Sequence, residues 1–270
     1  MSLIIIGKKG FIAKNLTYYF KKKKIKHLNI SLNNFLKLNS SQLSEYTNLI
    51  NCSINEKIIK DKYKKKNDFD RLISNKISFL NLRYIFLSTR KVYGKNIFPN
   101  ERTKTNPKCN YSKNKLISEN QCKKILNRKL IILRVSNLIG FRKFSNKRMH
   151  KTFIDNFYLN LKKGHFRFNF DDYKDFLSID QFCRVIEKIC VNDKVYGTFN
   201  LSLGKKIYLK DLIQALLSKI SKKKILIIND KNKNSDNFVL NNKKLLNKLK
   251  FKIQKKELIE YCKILSKKIG

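Results

Sequence analysis

The feature that most constrains this chain is a short apolar run that leads directly into a glycine turn. The run at residues 3–6 suits a buried parallel strand, because strands of parallel sheets are covered on both faces. The turn has the spacing Gly7-x-x-Gly10-x-x-Ala13, and a helix is predicted over residues 15–23. A strand, a tight turn and a helix in succession indicate the first unit of an α/β sheet.

The same alternation continues along the first half of the chain. Further strands are predicted at 26–30, 48–52, 84–88 and 130–133, and further helices at 41–46, 68–80 and 111–126. Alternation at this spacing predicts a doubly wound parallel sheet of the Rossmann type, with helices on both faces. Since no Pro- or Gly-rich linker divides the chain, we expect a single α/β unit.

The pattern loosens after Gly140 and indicates a small C-terminal lobe. Helices are expected at 150–163 and 208–220, a strand at 224–228, and a basic amphipathic helix at 255–268. The apolar stripe of that last helix, Leu258, Tyr261 and Leu265, favours packing on the core over lying on a membrane surface. The cofactor-binding part is expected at about 1–140 with a returning segment at about 174–204, and the lobe at about 141–173 and 205–270.

The glycine turn predicts a dinucleotide site. Gly7 permits the tight turn, and Gly10 lets the backbone approach a pyrophosphate, which the helix N-terminus stabilises. Phe11 and Ile12 then lie at the cofactor. Only 8 of 270 residues are glycine, so two glycines at this spacing are stronger evidence for a dinucleotide turn than they would be in a glycine-rich chain. No Asp or Glu follows the second strand, and Lys8, Lys9 and Ser31 could accommodate a 2′-phosphate, so NADP is slightly favoured over NAD.

Tyr111 and Lys115 are four residues apart, which places them on one face of the predicted helix. A nearby ammonium lowers the pKa of a tyrosine, so Tyr111 could exchange a proton with a carbinol or keto oxygen while a nicotinamide moves hydride. Thr89 ends the strand at 84–88, where a hydroxyl either points into the ligand crevice or caps the strand.

Several segments, in order, resemble motifs of the extended short-chain dehydrogenase/reductases, the NAD-dependent epimerase/dehydratase family. Residues 49–53 resemble D-x-V-x-N-x-A, residues 88–94 resemble S-[ST]-x-x-V-Y-G, and residues 107–119 resemble P-x-x-x-Y-x-x-S-K-x-x-x-E. Residues 133–140 resemble L-R-x-x-N-x-[YI]-G, and residues 174–180 resemble R-D-F-[IV]-H-V-x-D. Residues 197–204 resemble G-x-[YF]-N-[IL]-x-x-G, and residues 237–251 resemble the late motif D-x-x-K-L-x-x-L-G-[FW]. The likeness spans nearly the whole chain.

This resemblance implies an NAD(P)-dependent oxidoreductase or epimerase that acts on a nucleotide-activated sugar for polysaccharide biosynthesis. It implies that the small C-terminal lobe is substrate-binding. It also implies that Thr89, Tyr111 and Lys115 are catalytic, with Tyr111 and Lys115 also at the cofactor. The remaining implied residues are Asn51 at the cofactor and Lys91, Asn137 and Lys174 at the substrate. For Lys174, a plain strand residue is an equal alternative. A homodimer through a helix pair that includes the Tyr111 helix is a further expectation.

The sequence departs from the family pattern at three places. Arg90 and Lys91 occupy the positions where family dehydratases carry an Asp-Glu pair, which argues against a dehydratase. The adenine-side acid is absent around residues 37–39, and Asn114 replaces the small residue before the lysine. A non-catalytic dinucleotide-binding sensor is therefore an alternative function.

The composition adds a third alternative, a basic protein that binds polyanions. The chain has 62 Lys and Arg against 19 Asp and Glu, a net charge of +43. The lysines are spread along the chain, which favours compositional drift over a dedicated nucleic-acid site, although the charge favours an anionic substrate. We expect no metal site, because the six cysteines lack metal-ligand spacing and only three histidines are present. We expect a cytoplasmic protein without a membrane span, because the sequence shows no leader and no apolar run of about 18 residues.

Overall fold

A computed structural model describes residues 1–141, 152–220, 225–232 and 235–269. Within these ranges the strands are β1 Ser2–Ile6, β2 Lys26–Ile30, β3 Asn48–Asn51, β4 Arg83–Thr89, β5 Leu130–Val135, β6 Asn137–Ile139, β7 His165–Phe168, β8 Tyr173–Lys174, β9 Phe176–Ser178, β10 Gly197–Leu201, β11 Ile207–Tyr208 and β12 Leu226–Asn229. The α-helices are α1 Phe11–Lys22, α2 Leu32–Lys37, α3 Ser40–Ser44, α4 Glu56–Lys60, α5 Phe69–Ile77, α6 Asn110–Leu126, α7 Phe153–Lys163, α8 Ile179–Val191, α9 Leu209–Leu217, α10 Lys243–Leu249 and α11 Lys255–Ile269.

Six of these strands form one parallel sheet in the order β10-β5-β4-β3-β1-β2. The predicted Rossmann-type doubly wound sheet is therefore confirmed. The order reverses between β1 and β3, and in such sheets ligands bind outside the carboxyl ends of the strands at the point of reversal. The glycine turn after β1 and the residues after β3 and β4 lie at this edge.

Helices cover both faces of the sheet, as the apolar runs predict. On β1, Leu3 and Ile5 belong to the larger core cluster, whereas Ile4 and Ile6 belong to a second cluster across the sheet. Helices α1 and α8 pack together on the first face, and α5 and α6 on the second. Because successive side chains of a strand point to opposite faces, a strand covered on both sides must be continuously apolar.

The remaining strands form short two-stranded pairs beyond the main sheet. β6 pairs with β9 and β7 with β12 in parallel, while β8 and β11 are antiparallel. The predicted helix at 150–163 is α7, although residues 150 and 151 lie outside the described residues. The strand predicted at 224–228 is β12, and residue 224 also lies outside them. Sequence reasoning did not predict α8 as a helix.

Helix α11 packs its apolar stripe on the core, as favoured from sequence. Leu258 is fully buried and Leu265 nearly so, while Tyr261 is half-buried. The helix lies against α9. Across the described parts of the chain, no helix has the length and apolarity needed to cross a bilayer. The same residues contain no cluster of His, Cys, Asp or Glu suited to a metal ion, and all six cysteines are free thiols.

Asp175 ties the returning segment to the rest of the fold. Its carboxylate is fully buried and accepts backbone N–H groups from Leu203 at 3.0 Å, Gly204 at 3.1 Å and Leu240 at 3.0 Å. Burial raises the pKa of Asp175 to about 7, although these N–H groups favour the charged form. The carboxylate thereby fixes the segment that carries its neighbour Lys174.

Candidate active site

The glycine turn connects β1 to α1 at the carboxyl edge of the sheet. Gly7 has φ +116°, and a Cβ there would lie 3.0 Å from the backbone carbon of Cys52 and the backbone nitrogen of Ser53. This position therefore requires glycine. The turn closes through the Gly10 N–H, which donates to the Gly7 carbonyl at 2.9 Å.

Helix α1 presents an uncapped N-terminus at this turn. Its N-cap is Gly10, which has no side chain to occupy the first amides, and no acid stands in the first turn. Phe11 and Ile12 begin the helix and are half-buried, and the Phe11 ring packs so closely on Gly140 that a Cβ there would come within 2.6 Å. The amide groups and dipole of a helix N-terminus suit a bound phosphate, so these residues fit a dinucleotide pyrophosphate.

We expect Gly10→Ala to weaken dinucleotide binding at least tenfold while lowering the free energy of unfolding by only about 1 kcal/mol. Gly10 has an ordinary φ of −71°, but an added Cβ would fill the space above the turn, 3.3 Å from the Gly7 carbonyl oxygen. Calorimetric titration and urea unfolding measure the two quantities. The matched control is Gly164→Ala, where φ is +73° and no atom lies within 4 Å, so stability falls and affinity stays. Equal affinity in the Gly10 variant would count against the turn as the binding site.

The structure brings together the three predicted catalytic residues. Thr89 ends β4, while Tyr111 and Lys115 lie one turn apart at the start of α6. The Thr89 hydroxyl is hydrogen-bonded to the Tyr111 phenol and also accepts the Lys91 N–H at 3.2 Å. Both sequence interpretations of Thr89 are therefore compatible, since one hydroxyl caps the strand end and contacts the phenol.

The environment of Tyr111 favours the protonated phenol. Burial raises its pKa, whereas the Lys115 ammonium and the Thr89 hydroxyl lower it, and Asp70 raises it again. For Lys115, burial lowers the pKa, but the nearby Asp70 carboxylate, together with Tyr111 and Asp68, raises it, and the net pKa is raised. The site therefore holds a protonated phenol beside a charged lysine, which is the arrangement of a proton donor.

Asp70 is a site residue that sequence reasoning missed. Its Oδ2 accepts from the Lys115 Nζ at 2.9 Å, and its Oδ1 accepts from Asn51 Nδ2 at 2.7 Å and the Tyr84 hydroxyl at 2.6 Å. An acid at a buried position of α5 is an available signal, because charged residues are rarely buried without a partner. The sequence alone did not reveal that partner.

Asn51 lies at the carboxyl end of β3, as expected for a residue beside the cofactor. Its side chain is 3% exposed, and its Oδ1 accepts the Ser53 N–H at 2.9 Å while its amide donates to Asp70. These bonds join the end of β3 to the carboxylate that holds Lys115. The structure therefore links this predicted cofactor residue to the catalytic residues through Asp70.

The predicted substrate residues lie on separate elements around the same edge. Lys91 follows Thr89 in a short 3₁₀ turn and is half-buried. Asn137, at the start of β6, donates to the Asp175 carbonyl at 3.3 Å. Lys174 lies in β8. This position is compatible with both alternatives from the sequence, a plain strand residue and a residue that binds the substrate.

Arg90 joins Lys174 in a small charged cluster that the sequence did not predict. The Asp236 carboxylate accepts from Arg90 and lies 3.6 Å from the Lys174 Nζ. Arg90 is buried and its guanidinium stacks 3.8 Å from the centre of the Phe238 ring. Burial lowers the pKa of Lys174 and Asp236 raises it. Arg90 and Lys174 thus share the exposed Asp236 carboxylate, and the buried Asp172 carboxylate also acts on Lys174.

At the adenine side, β2 ends at Ile30 and Ser31 caps α2 by accepting the Asn34 N–H at 3.2 Å. Lys8 and Lys9 lie exposed in the glycine turn. Residues 27–34, around the end of β2, contain no Asp or Glu that could accept from a ribose 2′-hydroxyl.

Comparison with known proteins agrees with this architecture. Structures similar over nearly the whole chain include the Bordetella bronchiseptica enzyme WbmG in complex with NAD (TM-score 0.73, 18% identity, 99% of this chain and 94% of that chain). Others are a UDP-N-acetylglucosamine 4-epimerase from Methanobrevibacter ruminantium with UDP-N-acetylmuramic acid (0.77, 16%, 98% and 97%) and a dTDP-4-dehydrorhamnose reductase from Clostridium acetobutylicum (0.73, 19%, 98% and 99%).

Of the two sequence comparisons, one finds no match and the other finds one family. No curated protein sequence matches the chain. The family model described as the NAD dependent epimerase/dehydratase family matches residues 72–202, a range that includes Thr89, Tyr111 and Lys115. Over residues 72–202 the chain is therefore similar to the NAD-dependent epimerase/dehydratase family, and its six-stranded parallel sheet matches the fold of the similar structures.

Proposed function

We propose that this protein is an NAD(P)-dependent oxidoreductase or epimerase that transfers hydride at a carbinol or keto carbon of a nucleotide-activated sugar. The observation that carries the proposal is the grouping of Thr89, at the carboxyl end of β4, with Tyr111 and Lys115, at the start of α6, on the same sheet edge as the glycine turn. A purely dinucleotide-binding sensor would not need a half-buried phenol one helical turn from a buried ammonium.

The residues of this edge fit a nicotinamide dinucleotide. Gly7 and Gly10 with the first amides of α1, at Phe11 and Ile12, would hold the pyrophosphate, while Asn51 and Lys115 would line the nicotinamide side. The bound dinucleotide would supply or accept the hydride. The missing acid after β2 favours NADP slightly, whereas several similar structures contain NAD.

Tyr111 is proposed to give a proton to the substrate oxygen when the carbonyl is reduced and to take it back when the carbinol is oxidised. Lys115 would stabilise the phenolate after the proton leaves, because an ammonium one helical turn away favours the negative charge. Thr89 would fix the direction of the phenol and the position of the substrate oxygen through its hydroxyl. The three residues thereby control where one proton lies during hydride transfer.

The substrate class follows from charge and from similar enzymes. Lys91, Arg90 and Lys174 make the edge beside Thr89 cationic, and Lys174 is proposed to bind a substrate phosphate. Similar structures include a UDP-N-acetylglucosamine 4-epimerase and a dTDP-4-dehydrorhamnose reductase. Because Arg90 and Lys91 stand where a dehydratase has carboxylates, we propose epimerase or reductase chemistry. In this proposal residues from about 1 to 140 bind the cofactor, and the lobe, with Asn137 beside it, binds the sugar.

The test is to incubate the protein with NAD(P) or NAD(P)H and a panel of UDP- and dTDP-linked sugars and ketosugars. An epimerase gives a product of unchanged mass with new sugar proton couplings in NMR spectra, whereas a reductase adds two hydrogens and consumes one reduced dinucleotide. Either product supports the proposal. Tight dinucleotide binding with no product from any sugar would instead favour the non-catalytic alternative.

A further inference from the structure

Asp70 lies at the centre of a buried network that includes the catalytic lysine. Its side chain is 8% exposed and that of Lys115 is 6% exposed, so the ion pair between them is shielded from water. Both partners are carried by neighbouring helices, Asp70 by α5 and Lys115 by α6. A buried lysine without a partner tends to lose its proton, because a charge removed from water is costly.

The two carboxylate oxygens of Asp70 have separate partners. Asn51 and Tyr84 both donate to Oδ1, at 2.7 and 2.6 Å, which fixes the orientation of the carboxylate. The other oxygen, Oδ2, then faces Lys115 Nζ at 2.9 Å. Lys115 is confined from another side by the Phe86 ring, whose centre is 4.5 Å from Nζ. The ammonium therefore has a defined position one helical turn from Tyr111.

Other charged or titratable groups around the pair have different partners. Asp68, at the start of α5, accepts from the Tyr63 hydroxyl and the Ser118 hydroxyl, both at 2.8 Å. Cys109 precedes α6 and is hydrogen-bonded to Ser112. Asp68 raises the pKa of Lys115 electrostatically, and Cys109 does the same for the pKa of Tyr111. Of the carboxylates in the described residues that act on the site, Asp70 is the one in direct contact with the Lys115 ammonium.

We propose that Asp70 is a positioning residue for the reaction, which holds the Lys115 ammonium beside Tyr111 and keeps it charged. This inference rests on the proposed function, because it assigns a role within the same proton-transfer site. It also gives Asn51 and Tyr84 a defined task, which is to orient the carboxylate that orients the lysine.

Replacing Asp70 should shift the pH profile of activity in a defined direction. Its charge raises the pKa of Lys115 and also that of Tyr111. Removing the charge lowers both. In the oxidation direction, activity rises as the phenol loses its proton and falls as the lysine loses its own. Both limbs of the pH profile therefore move to lower pH when the carboxylate is replaced by an amide.

The experiment compares Asp70→Asn with wild type in kcat/KM measured from about pH 6 to about pH 10. We expect activity to fall about tenfold or more at the wild-type optimum, with the profile displaced by about one unit to lower pH. The matched control is Tyr84→Phe, which removes one bond to the same carboxylate but keeps its charge, so its profile stays in place. An unchanged profile in folded Asp70→Asn that still turns over would overturn the role of Asp70 and leave the proposed function standing.

A second measurement covers the case in which Asp70→Asn does not fold. Wild type is titrated with NADH or NADPH by calorimetry in buffers of different ionisation enthalpy, from about pH 6.5 to about pH 9. If Asp70 keeps Lys115 charged, binding takes up no proton over this range. Uptake of about one proton would show that Lys115 was neutral in the free protein and would contradict the inference. A wild type with neither dinucleotide binding nor turnover would overturn the proposed function itself, and this inference with it.

Discussion

Tyr111→Phe is expected to lower turnover by about 10²- to 10⁴-fold while dinucleotide affinity stays within about threefold of wild type. The substitution removes one oxygen, the proposed proton donor, and leaves the aromatic ring in place. Because Gly7, Gly10 and Lys115 are unaltered, the dinucleotide contacts remain. The measurements are kcat with the sugar substrate and the dissociation constant by calorimetry.

The matched control for Tyr111→Phe is Tyr63→Phe. Tyr63 also has a partly buried hydroxyl, which donates to Asp68 at 2.8 Å, but it does not contact Thr89. We expect this control to lose some stability and to keep its turnover. If Tyr111→Phe retained half or more of the wild-type turnover, the phenol would not be the proton donor and the assignment would be wrong.

Glu119→Gln is expected to lower the free energy of unfolding by about 3–5 kcal/mol. Glu119 is fully buried on α6, and its carboxylate accepts from Arg134 Nε at 3.1 Å and Nη2 at 2.7 Å and from the Ser88 hydroxyl. The amide has nearly the same shape but carries no charge, and its NH₂ group faces the Arg134 donors. A buried guanidinium is then left without its counter-charge.

The consequence extends to the site because Glu119 lies one turn after Lys115 on α6. Its bonds fasten this helix to β4 and β5, the strands that carry Ser88 and Arg134. Urea unfolding followed by circular dichroism measures the loss. As a control, Glu260→Gln breaks an exposed pair with Lys263 and should leave stability nearly unchanged. A loss below about 1 kcal/mol for Glu119→Gln would contradict a structural role for this pair.

The sequence predicts the parts of the fold that local patterns encode. The apolar strand, glycine turn and helix at residues 2–22 give β1 and α1, although α1 begins at Phe11 and not near Asn15, because the turn is completed at Gly10. The strand that ends at Thr89 and the helix with Tyr111 and Lys115 are likewise recognisable from spacing. These elements are continuous in the chain, so periodicity is sufficient to find them.

The parts that the sequence did not predict depend on contacts between distant residues. Helix α8 was not predicted although its apolar positions have helical spacing, because it begins inside the segment at 174–180 that also contains β9. The Asp70–Lys115 pair joins residues 45 positions apart, and the Arg90–Asp236 pair joins residues 146 apart. No local pattern specifies which buried charge meets which partner, so both pairs required the folded structure.

Calorimetric titration of the purified protein with NADPH, NADH, NADP and NAD at moderate salt tests the dinucleotide site without any knowledge of the sugar. We expect micromolar binding of one reduced and oxidised pair, with binding lost or much weakened in Gly10→Ala. Preference for the phosphorylated pair would agree with the missing acid after β2, and preference for the other pair would correct that expectation. Folded protein that binds none of the four would contradict the dinucleotide site, and with it the proposed enzyme.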